Sequence, residues 1–215
     1  MLQIKKFTFN PLEENTYIVY DHTRHCIIVD PGCSTLEEET TLSNFILTNH
    51  LVVTQVINTH CHIDHIVGNA YVKKKYGVPL AIHPQDAFLL KLSPQYAQQY
   101  GIAYCEPTVA ELLLEEDDSI AVGESQLQVL HVPGHSPGHI ALYSAEDNFC
   151  IVGDVLFQNY VGRTDLPGGD YAELMRSIHD ELLVLDDATI IYPGHGANTT
   201  IGVEKKHNPF IKGAY

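Results

Sequence analysis

The chain has 215 residues, 45% of them hydrophobic, enough to bury a real core in one domain spanning 1–215. A formal charge of −15 repels phosphate backbones and argues against generic nucleic-acid binding. No apolar run approaches the roughly 18 residues of a membrane span, and Met1–Lys6 lacks the form of a secretory leader, so the expected compartment is the cytoplasm.

Residues 2–9 and 15–20 read as a strand pair turned at Asn10-Pro11. Residues 26–30 form a short buried-strand pattern stopped by Pro31-Gly32. A helix is predicted over 35–48, with Glu37, Glu38 and Glu39 near its start, where the helix dipole favours them. The strand 52–57 leads straight into Thr59-His60. Residues 65–76 predict a helix ended by Lys73–Lys75 and Gly77, with Pro79 beyond. A strand at 80–82 and a helix over 85–92 follow. From there to 118 the pattern thins into a long loop holding Tyr96, Tyr100 and Tyr104, of the kind often used as a functional lid. Strands resume at 119–123, 126–132, 139–144 and 149–153. A helix over 171–185, a strand over 188–192 and a helix near 200–207 complete the pattern. Two strand blocks with interspersed helices predict two sheets packed face to face under outer helices.

The five cysteines include no C-x-x-C pair and are odd in number, which predicts free thiols rather than a disulfide framework or a zinc ribbon. The chemistry concentrates instead in Thr59-His60-Cys61-His62-Ile63-Asp64-His65. Imidazole nitrogen and carboxylate oxygen are divalent-metal ligands. A single helix could not aim all of them at one point, because its neighbours lie three and four apart. Cys61 points away from His60 and His62 if the loop is extended.

Four apolar runs end in a His or Asp: 55–59 at His60, 127–134 at His135, 149–153 at Asp154 and 189–194 at His195. Three of these ligands follow a Gly, which permits a sharp turn and close backbone approach. Strand tips are rigid supports for a preorganised site. His60, His62 and His135 would make one three-nitrogen face, and Asp64, His65 and His195 a second, with Asp154 between them. Three protein ligands per ion leave room for a shared water or hydroxide, as in catalytic zinc sites.

The order His-x-His-x-Asp-His, Gly-His, Gly-Asp, Gly-His resembles the metallo-β-lactamase superfamily over nearly the whole chain. That resemblance implies an α+β fold, the four-layer αβ/βα sandwich of two facing mixed sheets with the metals at one edge. It also implies that Asp30 props the His loop. Residues 152–157, 162–170, 193–196, 199–202 and 208–210 resemble the glyoxalase II-like (hydroxyacylglutathione hydrolase-like) group. The implied activity is thioester hydrolysis with two divalent ions, zinc first and iron or manganese as alternatives. The implied substrate is a small molecule, a glutathione ester or another thiol ester, with Asp64 and Asp154 steering the proton. The full glyoxalase II carries a helical domain that helps hold glutathione; here 20 residues follow His195, as in single-domain members.

Other residues read as supports. His139 is expected to be structural, Arg163 to pair with Asp165 or Asp170, and Tyr160 to flank the pocket or simply pack. A one-iron persulfide dioxygenase-like enzyme built on His60, His62, His135 and Asp154 is the alternative activity, and other hydrolases of lactones or phosphoesters remain open. A vestigial binding module is disfavoured by the complete ligand set.

Overall fold

A computed structural model provides the structure and describes residues 1–102 and 105–213. The first half contains β1 (Gln3–Phe9), β2 (Glu14–Tyr20), β3 (His25–Val29), α1 (Leu36–Thr48), β4 (Val52–Ile57), α2 (Ile63–Ile66), α3 (Asn69–Tyr76), β5 (Leu80–Ile82), α4 (Ala87–Gln99) and β6 (Leu112–Leu113). The second contains β7 (Ser119–Val122), β8 (Ser125–His131), β9 (Ile140–Ser144), β10 (Phe149–Gly153), β11 (Leu156–Phe157), β12 (Tyr160–Val161), α5 (Tyr171–Ser177), β13 (Ile190–Pro193), β14 (Thr199–Thr200) and α6 (Ile201–His207). One six-stranded sheet runs β1-β2-β3-β4-β5-β6 and the other β14-β13-β10-β9-β8-β7; β11 and β12 form a separate hairpin.

The inner strands β3, β5, β9 and β10 are buried on both faces, so the middle of each sheet is covered twice. Alternation along β3 sends Ile27 and Val29 into the layer between the sheets, where they meet Val129, Leu142 and Ile151. Cys26 and Ile28 point the other way, toward Leu42 and Ile46 of α1 and Leu89 of α4. On the second sheet, Cys150 and Val152 face Leu174, Ile178 and Leu182 beneath the helix that follows. The result is the expected α+β sandwich of two mixed sheets between helical layers.

Strand direction decides where the site lies. β8 and β10 are each antiparallel to β9, hence parallel to one another, and β10 is parallel to β13. All three therefore deliver their C-terminal ends to one edge. β3, β4 and β5 are mutually parallel in the facing sheet.

Several boundaries differ from the sequence expectation. The helix predicted over 65–76 is split into α2 and α3, because the Gly68 N–H leaves the helical ladder and donates to Pro31 O at 2.8 Å. A Cβ at Gly68 would stand 2.6 Å from both Cys33 Sγ and Pro31 O, so only Gly permits this approach. The helix over 85–92 begins as a 3-10 turn at Pro84–Asp86 and then runs to Gln99, through Pro94. Pro94 cannot donate to Leu90 O; Ser93 Oγ does so instead, at 2.8 Å. Tyr96 thus lies on a helix rather than in a loop, and Tyr100 directly follows its last residue, its N–H on Tyr96 O; Tyr104 falls outside the described residues. The helix over 171–185 becomes α5 followed by a π turn at Ile178–Leu182, closed by Leu183 N–H on Ile178 O at 2.8 Å. No helix among the described residues is long and apolar enough to cross a membrane.

His83 and His131 stack across the sandwich with ring centroids 4.1 Å apart. His83 Nδ1 accepts the Gln85 N–H, opening the 3-10 turn, and His131 pairs with Pro137 O at 3.0 Å. Burial and then the His131 ring push His83 down to about 4. The unfolded chain therefore binds more protons between the two values, and this stack's contribution is present above pH ~6.5 and lost as pH falls toward 4. His83→Gln is expected to narrow its Tm deficit against the parent on acidification from pH 7 to pH 4, measured by thermal scans; a constant deficit would contradict it.

Candidate metal centre

After β4 the chain bends at Thr59 and His60, and His62, at φ −69° and ψ 153°, precedes the single turn α2. His60 and His62 reach the cluster while Cys61 enters the outer core with Ile63. α2 then swings Asp64 and His65 back toward the same point. His135, Asp154 and His195 arrive from beyond β8, β10 and β13.

All seven expected ligands meet. Ligand atoms of His60, His62 and His135 lie within 4.8 Å of one another, and so do those of Asp64, His65 and His195. Asp154 stands between the sets: Oδ1 is 3.5 Å from His65 Nε2, while Oδ2 is 3.7 Å from His135 Nε2 and 3.5 Å from His195 Nε2. Asp64 Oδ2 is 3.1 Å from His195 Nε2.

The electrostatics divide the same way. Burial and neighbouring imidazoles drive His60 well down, His62 to about 3, and His135 down, so these rings are neutral, the form that ligates metals. Burial alone would lower His65 and His195, but Asp64 and Asp154 raise His65 well above its usual value and His195 to about 10. Burial resists ionisation of the two carboxylates, yet His65 and His195 hold Asp154 well below, and Asp64 below, the ordinary range. A cation entering the second set would compete with those imidazole protons.

Four buried atoms decide whether the cluster suits a metal. His60 Nε2, His62 Nε2, His65 Nε2 and Asp154 Oδ1 have no hydrogen-bond partner among the described residues. Each such group costs about 1–3 kcal/mol when left unmet. Cations held by the two sets would meet His60 Nε2, His65 Nε2 and Asp154 Oδ1, while His62 presents its Nδ1, 2.8 Å from His135 Nε2; the mixed imidazole and carboxylate donors suit zinc, iron or manganese.

The supports are explicit. Asp30 accepts Thr59 N–H at 2.7 Å and Thr59 Oγ–H at 2.6 Å, and its Oδ2 lies 3.1 Å from His65 Nδ1. Although Asp30, His60 and His65 also cluster, the Asp30 oxygens are already engaged, and it props the His loop. His139 stacks on His60 with centroids 4.6 Å apart, and its Nε2 accepts the Asp154 N–H at 3.0 Å. Arg163 makes a two-pronged pair with Asp165 at 2.7 Å per contact, while its carbonyl holds His135 Nδ1 at 2.7 Å. That bond fixes the proton on Nδ1 and leaves Nε2 facing the site.

Sequence reasoning missed a set of buried amides. Asn10 Nδ2 donates to Asp64 O, and Asn58 Nδ2 to His65 O, at 3.0 and 3.1 Å. Asn15 Nδ2 donates to Pro193 O at 3.0 Å, joined by Tyr17 OH at 2.6 Å, locking the first sheet to the His195 loop. Their one signal was polarity next to apolar strand runs, as at Ile57-Asn58.

The family model for the metallo-beta-lactamase superfamily matches residues 10–195. The chain belongs to the metallo-beta-lactamase superfamily. Hydroxyacylglutathione hydrolase GloC of Haemophilus influenzae is 34% identical, covering 98% of each chain. Among solved structures, TTHA1623 in a di-iron-bound form superposes with a TM-score of 0.87 at 37% identity, covering 96% of this chain and 99% of that one. BLEG-1, a B3 metallo-beta-lactamase, superposes at 0.89 and 33% identity, covering 97% and 99%. The chain is thus a superfamily member whose His/Asp cluster suits a divalent metal.

A cavity of about 380 Å³ opens on His62, Asp64, His135, Asp154 and His195. Its walls are largely apolar, with Leu89 and Tyr96 of α4, Tyr100 directly after it and, from the hairpin, Phe157 and Tyr160. Tyr160 also packs edge-on against Phe210 at 4.8 Å, so it both flanks the cavity and packs.

Gly194 shows how tight the second set is. A Cβ there would lie 2.0 Å from Asp154 Oδ1 and 2.7 Å from His65 Cε1. Gly194→Ala is expected to weaken metal binding about tenfold or more, read as metal content by elemental analysis; full content at wild-type affinity would refute the packing argument.

Proposed function

We propose that this superfamily member is a thioester hydrolase whose seven side chains hold two divalent ions at the floor of the cavity. The carrying observation is the convergence of His60, His62, His135, Asp64, His65, His195 and Asp154 on one point, with four buried polar atoms left unmet. The 34% identity to GloC supports the thioester as substrate class, and the di-iron form of TTHA1623 supports a two-ion site. In this reading residues 1–215 act as one unit.

Two ions bound there, zinc or alternatively iron or manganese, would acidify a water and polarise the carbonyl. The protein's own groups do the rest. His60, His62 and His135 stay neutral and fix three nitrogens. Asp154 reaches both sets and holds them in register. Asp64 and Asp154 both face the cavity and steer the proton of the attacking water. Hydrolysis forms a C–O bond from water and breaks the C–S bond; that proton ends on the departing thiolate. The apolar walls exclude bulk water and seat the acyl or thiol portion, including a glutathione moiety if the carrier is one.

The test is metal analysis of protein purified without added metal, followed on the same sample by a panel of thioesters on glutathione and other thiols, with a β-lactam included. Two ions per chain and chelator-sensitive thioester turnover are expected. Asp64→Ala should lower turnover by about 100-fold or more and reduce metal content. Unchanged turnover and content in that variant would sink the two-ion reading. One iron per chain with oxygen uptake on glutathione persulfide would point instead to the dioxygenase alternative.

A further inference from the structure

Asp86 ends the 3-10 turn between β5 and α4, and its side chain is fully buried. It sits at the start of α4 yet makes no capping bond to that helix. Its oxygens are spent elsewhere. Oδ2 accepts the Cys61 N–H at 2.9 Å and the Ser136 hydroxyl at 2.8 Å, and Oδ1 accepts the Gly138 N–H at 2.6 Å. Cys61 lies between His60 and His62; Ser136 follows His135. The first loop leaves the β4 end of one sheet and the second leaves the β8 end of the other. One carboxylate therefore ties the two loops that carry the all-imidazole set. Gly138 is shaped for it, since a Cβ there would stand 2.6 Å from Asp86 N and 2.8 Å from Oδ1.

The other set is held by different groups. Asn10 and Asn58 hold the carbonyls of Asp64 and His65, Asp30 holds the His65 ring, and Asn15 holds the His195 loop. None of these supports bonds to Asp86.

We propose that Asp86 is a positioning residue that sets the spacing of His60 and His62 against His135, and so controls one metal affinity selectively. The proposal rests on the two-ion reading above. It extends to substrate, because α4, which starts directly after Asp86, carries Leu89 and Tyr96 on the cavity wall and leads into Tyr100 there.

The experiment titrates zinc against a chromophoric chelator, and cobalt by its visible absorption, for the wild type, Asp86→Asn, Asp86→Ala and Ser136→Ala. One of the two affinities should fall about 10- to 100-fold in the Asp86 variants, with the other within twofold and a changed cobalt spectrum. Ser136→Ala, which removes one of the three bonds, should lower the same affinity by less, with a near-parental Tm; it carries the test if Asp86→Ala does not fold. Two unchanged affinities, or equal loss of both, would overturn the assignment, since a purely structural role lowers Tm without choosing a set. The wild type separates the readings. If it binds one ion or turns over no thioester, the proposed function fails, and Asp86 is judged on the remaining affinity, which must still drop. A wild type that binds no metal overturns both.

Discussion

Everything at the working edge of this sandwich depends on one constraint: imidazoles and carboxylates have been taken out of water into a space a few ångströms across. Four of their atoms make no hydrogen bond among the described residues. Burying such groups unmet is unfavourable, and a divalent cation suits imidazole lone pairs and carboxylate oxygens together. The rest of the architecture keeps these groups from relaxing apart. Asp30 holds the outer nitrogen of His65 and the Arg163 carbonyl that of His135, while Asn10, Asn15, Asn58 and His139 bond the backbone of the loops that carry the cluster, which limits how far the inward-facing atoms can turn away.

The sheets supply the rigidity. Parallel strand ends converge by construction, so β8, β10 and β13 can each place one ligand without a long loop. Glycine makes the final approach feasible: Gly153 adopts a φ of +48° and passes against Thr59 and His139. Because the inner strands β3, β9 and β10 are buried on both faces, a shift of any of them would disturb packing on two layers at once. Fold membership alone does not name a reaction. The apolar cavity set directly over the cluster gives this scaffold its enzymatic reading.

Much of the site was legible because its ligands lie at strand ends, and strand ends show in sequence as apolar runs followed by Gly-His or Gly-Asp. Cys61 does turn away into the outer core, as an extended loop would have it, although the chain bends at Thr59 and His60. Helix limits were less legible. The break at Gly68 turns on a partner distant in sequence, Pro31 O, and the run through Pro94 on a local replacement, the adjacent Ser93 hydroxyl donating to Leu90 O. The short pieces β6, β11, β12 and β14 are too brief for periodicity to register.

The sequence by itself determined the ligand types, their order and the strands that carry them, because those depend on local pattern. It could not reveal Asp86, Asn15 or Asn58. A buried polar residue before a helix reads as a cap, and an amide beside a strand reads as a turn. Only the tertiary structure decided that these residues bond across chain separations of up to 181 residues to hold the loops of the cluster. Hydrogen-bond partners so far apart leave no local trace. They arise from packing one sheet on the other, and that packing also brings the two ligand sets within reach of a single bridging carboxylate, Asp154.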